Sequence, residues 1–183
     1  MVRVWLAFVA VPVSACWNAL VAFRVIREAR VRAMGPSFVH EVSTALLDGG
    51  ALSPAGRGAA LRAVASAIVR THDLHPNLIA LLHAVHRQTD QTPPPDVDST
   101  AAFIASLRDL EATERASVLE LLGAAAVVDG RLTAAEKRLL REARAACGLS
   151  TDRTDVHRLR RAFLSGQPRS EPPLVAVGRG TAG

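Results

Sequence analysis

Tyrosine is missing from these 183 residues, and aromatics amount to 4% of them. Strands draw on aromatic and β-branched side chains, so a sheet-rich fold has little to build with. Alanine, leucine and arginine dominate instead, all good helix formers, and the chain reads as all-α. Cysteine is almost as scarce. Cys16 and Cys147 each sit in an apolar stretch and give neither a disulfide framework nor the paired spacing of a zinc site. Lysine occurs once, at Lys137, so arginine carries the formal charge of +5. Those arginines are spread along the chain with no interleaved aromatic platform, which argues against nucleic-acid recognition. Catalytic signatures are absent too: there is no phosphate-binding glycine loop, no nucleophile elbow, no HExxH and no cysteine with a histidine partner. A non-enzymatic chain without a cofactor is expected, with room for one domain and an appendage.

The most informative stretch is Thr113 to Leu149, a helix, a tight turn and a second helix. Val118, Leu121, Leu122, Ala125 and Val128 recur at helical spacing on the first helix. Leu139, Leu140, Ala143, Ala146 and Cys147 do so on the second. Between them lies Asp129-Gly130-Arg131-Leu132, where glycine permits positive φ and the aspartate can accept hydrogen bonds from nearby amides. Thr133 and Glu136 have the spacing of a capping box, each side chain satisfying the other residue's free N–H.

The run AAAVVDGRLTAAEKRLLREARAACGLS resembles the helical domain named for the tellurite-resistance protein TerB, also found in the N-terminal part of the J-domain co-chaperone DjlA. The resemblance rests on an apolar helix ending in D-G, then L-T-x-x-E, then a helix ending in G-L-S. It implies a bundle of about six to seven helices made of two related halves. An earlier stretch reads as the sister half: setting Leu52-Ser53 on Leu132-Thr133 makes Ser53 an N-cap and Pro54 the first helical residue. Gly56 then stands where Glu136 stands, and Asp48 falls one residue early, so the copy looks decayed. The resemblance also links acidic residues near the D-G turns with metal-ion responses, which makes Asp48, Asp129 and Glu136 candidate ligands for a divalent metal. No H-P-D triplet of a J-domain is present, so co-chaperone activity does not carry over.

Residues 4–23 form an uncharged run. A helix of that length spans about 30 Å, the hydrocarbon thickness of a bilayer. The leading expectation is a single-pass inner-membrane anchor binding lipid, with the bulk cytoplasmic, because Arg24, Arg27, Arg30 and Arg32 follow the run and only Arg3 precedes it. These four also form a basic flank for the membrane surface. Pro12, Ser14 and Asn18 leave room for a half-buried helix of a soluble cytoplasmic protein. Val13-Ser14-Ala15-Cys16 also fits an exported, lipid-modified protein. The stretch from Val11 to Pro36 bears a fainter similarity to the terminal helix of EcsC-like membrane-associated proteins.

Gly35-Pro36 is expected to close the long helix, giving a hydrophobic anchor over 1–34, a helical domain over 37–164 that opens with a short helix from Ser37 to Leu47, and a disordered tail over 165–183. Leu61, Val64, Ala65, Ile68 and Val69 predict a core helix. His72, His75, His83 and His86 offer a second metal hypothesis, since i, i+3 imidazoles share a helix face. Leu78, Leu81, Leu82 and Val85 already define the buried face there, which puts His83 and His86 at its flanks. The prolines of Gln88 to Thr100 make a stiff loop, after which Asp98 or Ser99 can cap a helix carrying Phe103, Ile104, Leu107 and Leu110. A last helix over 151–164 turns Val156, Leu159 and Phe163 inward and Arg153, Arg158, Arg160 and Arg161 outward.

The run ending at Glu136 also copies the second half of a calcium-binding loop, with Asp129 at position five, Gly130 at six, Leu132 at eight and Glu136 at twelve. Positions one and three would be Ala125 and Val127, which carry no oxygen. The combined expectation is a non-catalytic, membrane-tethered stress-response module with a protein partner that the sequence does not identify. The alternative is a soluble metal-binding domain.

Overall fold

The structure is a computed structural model that describes residues 2–47, 52–72, 74–90, 92–149 and 154–166, with the side chains of 2–13 and 154–155 outside the description. Among the described residues there are seven helices and no strand: α1 Val2–Leu47, α2 Pro54–Thr71, α3 Pro76–Thr89, α4 Thr100–Ser106, α5 Ala112–Ala125, α6 Ala134–Ala146 and α7 Thr154–Ser165. Asp48 and the expected tail beyond Gly166 lie outside the described residues.

The body is arranged around α2, which packs on α3, α4, α5 and α6. Its composition explains the position. Gly56, Gly58, Ala59, Ala60, Ala63, Ala65 and Ala67 are all buried, and such small side chains let neighbouring helices approach from several sides. Leu61 and Val64 are inside as expected, whereas Val69 is exposed near the C-terminal end. Around α2 the core collects Leu78, Leu81 and Val85 of α3, Phe103 of α4, Val118, Leu121 and Leu122 of α5, and Leu139 and Ala143 of α6. α4 is shorter than its apolar pattern suggests. It ends at Ser106, and Leu107 and Leu110 are buried from the turns that follow.

The caps match their sequence signals. Ser53 Oγ accepts from Gly56 N–H at 3.1 Å, Ser99 Oγ accepts from Ala102 N–H at 3.2 Å, and Thr133 with Glu136 forms a complete capping box. At α2 the apparent loss of a capping glutamate proves to be a substitution in space. Glu114 of α5, 8% exposed, brings Oε1 to 2.5 Å from the Ser53 N–H, the same bond that Glu136 makes to Thr133 N–H at 2.6 Å. Gly56 is glycine because that carboxylate fills its side-chain space; a Cβ there would lie 2.8 Å from Glu114 Oε1. The Ser53 backbone donor holds the Glu114 carboxyl below the usual carboxylate range.

Gly35 and Pro36 do not close α1, which runs on to Leu47. Pro36 and Arg32 both lie on the exposed side, so the carbonyl that loses its i+4 partner to proline faces water. Gly35 is buried for another reason. Asn77 occupies the place of its missing Cβ, which would otherwise come within 2.2 Å of the amide Cγ. The C-terminal half of α1 docks through Val31, Val39, Val42 and Leu46, while residues 14–26 are exposed. Trp17, Phe23 and Ile26 show 63%, 65% and 68% of their surface. Among the residues whose side chains are described, which leave out 2–13 and so the first half of the apolar run, no helix is long and apolar enough to cross a membrane.

Candidate functional site

Asn77 sits at the start of α3, where His75 is the N-cap and Pro76 the first helical residue. Its Nδ2 donates to Val31 O of α1 and to Val128 O of the D-G turn, both at 3.0 Å, and the residue is buried. One side chain thus ties α1, α3 and the α5–α6 connection. The D-G turn is fixed from two further sides, because Gly130 O accepts from Arg27 Nη2 at 2.6 Å and from Arg160 Nε at 3.1 Å. Gly130 has φ 74°, and a Cβ would meet Val31 Cγ2 at 2.7 Å, so both backbone and space require glycine. The helical pattern of 151–164 puts Arg160 outward, but this carbonyl draws it in. Phe163 is buried as expected and meets Phe38 ring to ring at 4.8 Å between centroids.

These contacts border an open cleft of about 1020 Å³ between α1, the start of α3 and the turn. Arg24, Arg27 and Arg32 of the basic flank line it, joined by Arg131; Arg30 is exposed elsewhere on α1. On its wall His75 Nδ1 accepts the Asn77 N–H at 3.2 Å, which puts the proton of the neutral imidazole on Nε2, 3.3 Å from Glu28 Oε1. Glu28 also accepts from Arg32 Nε at 2.8 Å, and that bond, more than the His75 contact, holds its carboxyl below the usual range.

The metal candidates fall into architectural roles. Asp129 Oδ1 accepts from Arg131 N–H at 2.7 Å, closing the turn as the sequence suggests. Glu136 Oε2 accepts from both Thr133 N–H and Thr133 Oγ1, within the capping box. Ala125 and Val127, the first and third positions of the calcium-loop comparison, are fully buried apolar residues. The four histidines are dispersed: His72 is the left-handed C-cap of α2, His75 caps α3, and His83 and His86 are exposed on α3. Among the described residues no group of three or more His, Cys, Asp or Glu is placed to hold a metal ion.

Two residues with the most consequential contacts, Glu114 and Asn77, carry no functional signal in the sequence, and His75, a metal candidate there, serves instead as the N-cap of α3. His75 had a local signal, since the residue before a proline at the first helical position is the N-cap. For Glu114 and Asn77 the partners lie 61, 46 and 51 positions away, and the local marker is only a glycine at each facing site.

No curated protein and no solved structure matches the chain. A family model described as tellurite resistance protein TerB does match, over residues 45–161. That span holds the Ser53 and Thr133 caps, Asn77, the D-G turn and α2 through α6, which is more than half of the sequence. On this match, and with the all-helical body it calls for, the chain belongs to the TerB family.

Proposed function

We propose that this protein is a non-catalytic TerB-type interaction module, tethered to the inner membrane through residues 4–23 and working in tellurite or metal stress on the cytoplasmic side through a protein partner. Family membership supports the link to tellurite resistance. The observation that carries the tether is the division of α1: its C-terminal half is docked on the bundle, while Trp17, Leu20, Val21 and Phe23, within the apolar run, and Val25 and Ile26, just after it, remain exposed on the other half. Apolar side chains gathered on one uncovered helix mark a surface that another phase or molecule covers. The basic flank that follows supports the orientation. In the described body the turn and cap carboxylates Asp129, Glu136 and Glu114 all hold backbone amides, in keeping with a structural and recognition role.

Fractionation of cells producing the full chain tests the tether. The protein is expected in the membrane pellet, resistant to alkaline carbonate and released by detergent, with the bundle open to protease only from the cytoplasmic side. Recovery in the soluble fraction without detergent removes the tether.

A further inference from the structure

The cleft at the root of the exposed half of α1 has a charge balance that no cap or core contact uses. Four guanidinium groups, Arg24, Arg27, Arg32 and Arg131, face two carboxylates, Glu28 and Asp129. Both carboxylates are engaged already: Glu28 with Arg32 and His75, Asp129 with the Arg131 amide. Among the described residues Arg24 and Arg131 form no ion pair, and both are exposed. Arg27 commits one N–H to Gly130 O, and a guanidinium has five donors. α3 begins at the same wall with Pro76, so the positive end of its dipole adds to the field. Val25 and Leu74, 61% and 72% exposed, line the cleft beside these charges. A ligand that suits all of these groups is an anion with hydrocarbon attached.

Position along α1 points to the source. Arg24 follows the apolar run directly, and at about 1.5 Å rise per residue Arg24 to Arg32 covers about 12 Å along the axis. The headgroup layer beside the hydrocarbon core is about 5–8 Å thick, so with residues 4–23 in the bilayer the cleft opens at its level. We propose that this cleft seats the phosphate of an anionic phospholipid headgroup, with Arg24 and Arg131 as its direct donors, Arg27 beside them, and Val25 and Leu74 against the glycerol and upper acyl chain. The source of the phosphate rests on the tether reading; the seat itself rests on the cleft.

The test uses full-length protein in a neutral detergent. Binding of short-chain phosphatidylglycerol, short-chain phosphatidylcholine and glycerol 1-phosphate is measured by calorimetry for the wild type, for Arg24→Gln/Arg131→Gln, and for Arg138→Gln/Arg141→Gln as a control of equal charge change on exposed α6 positions. The wild type and the control are expected to bind phosphatidylglycerol at least about tenfold tighter than the other two probes. Arg24→Gln/Arg131→Gln is expected to lose about tenfold or more, as removal of charge-assisted phosphate contacts requires. No binding by the wild type, or equal binding by the cleft variant, overturns the seat. Equal affinity for glycerol 1-phosphate overturns the lipid source. Carbonate-resistant sedimentation, which depends on residues 4–23, is expected to be unchanged in the cleft variant, so loss of the seat and loss of the tether are read separately.

Discussion

Replacing Glu114 tests how the first long helix of the body is started. In the wild type its carboxylate accepts the Ser53 N–H at 2.5 Å, a charge-assisted bond to a backbone donor that α2 cannot satisfy from within. Such bonds contribute about 1.5–3 kcal/mol. Ser53 is exposed, so water replaces part of the loss, and Glu114→Ala is expected to cost about 1–2 kcal/mol, or about 3–6 °C in a melt of the full chain followed by circular dichroism. Gly56→Glu alone is expected to destabilise, because its Cβ falls 2.8 Å from Glu114 Oε1 and a second carboxylate is forced beside the first. Combined, the two changes should be far better than their sum. The introduced carboxylate then sits three residues after Ser53, as Glu136 sits after Thr133, and it replaces a glycine inside a helix. A coupling energy of at least about 1 kcal/mol is expected. The sign with pH follows from the same bond. Glu114 titrates below its ordinary value in the folded chain, so its contribution is complete above the unfolded carboxyl range and disappears as pH falls through the folded value. The melt of Glu114→Gln should lose that part of the acid dependence. Additive double-variant energies, or an unchanged acid limb, would refute the account of a cap supplied from another helix.

Asn77→Asp removes the amide donor shared by Val31 O and Val128 O, and is expected to destabilise by about 2–4 kcal/mol in urea titration, more than Asn77→Ala, because it faces two carbonyls with a charge. Gly35→Ala should cost a similar amount by the same assay unless Asn77 is truncated with it, since the two compete for one space. Gly130→Ala combines positive φ with the contact to Val31, and is expected to lower the melting temperature by about 5 °C or more. Arg62 and Asp96 pair at 2.6 Å on an accessible surface where solvent and salt screen the charges, so Asp96→Asn should leave the melting curve nearly unchanged, and the more so in high salt. Burial pushes the Cys147 thiol up, so thiol-labelling at neutral pH should be slow at Cys147 and accelerate only at alkaline pH.

How much of this was legible depended on the range of the interaction. Ser53-Pro54, Ser99 and Thr133-x-x-Glu136 announce helix starts within four residues, and each start is where those residues put it. The α5–α6 turn and the family were readable for the same reason. Gly35-Pro36 misled because local rules assign glycine and proline to a helix end, whereas here a distant amide needs the empty Cβ and solvent takes the freed carbonyl. Glycine at 56 reads as decay in the sequence because the carboxylate that replaces its side chain, Glu114, bonds to Ser53 from 61 residues away. The same limit hid the cleft: Arg24, Arg27 and Arg32 share a pattern along one helix, but Arg131 and His75 join them only through the fold.

The unbroken course of α1 through Gly35-Pro36 has a mechanical meaning. A 46-residue helix is about 70 Å long, and the amide of Asn77 clamps it where a swivel would otherwise sit. A tilt applied at the exposed end reaches the elbow beside Val128 and Gly130 through Arg27 and Val31, ahead of Gly35-Pro36, and the unbroken helix beyond carries it on along the body, so rod and body are coupled as the two arms of a lever are.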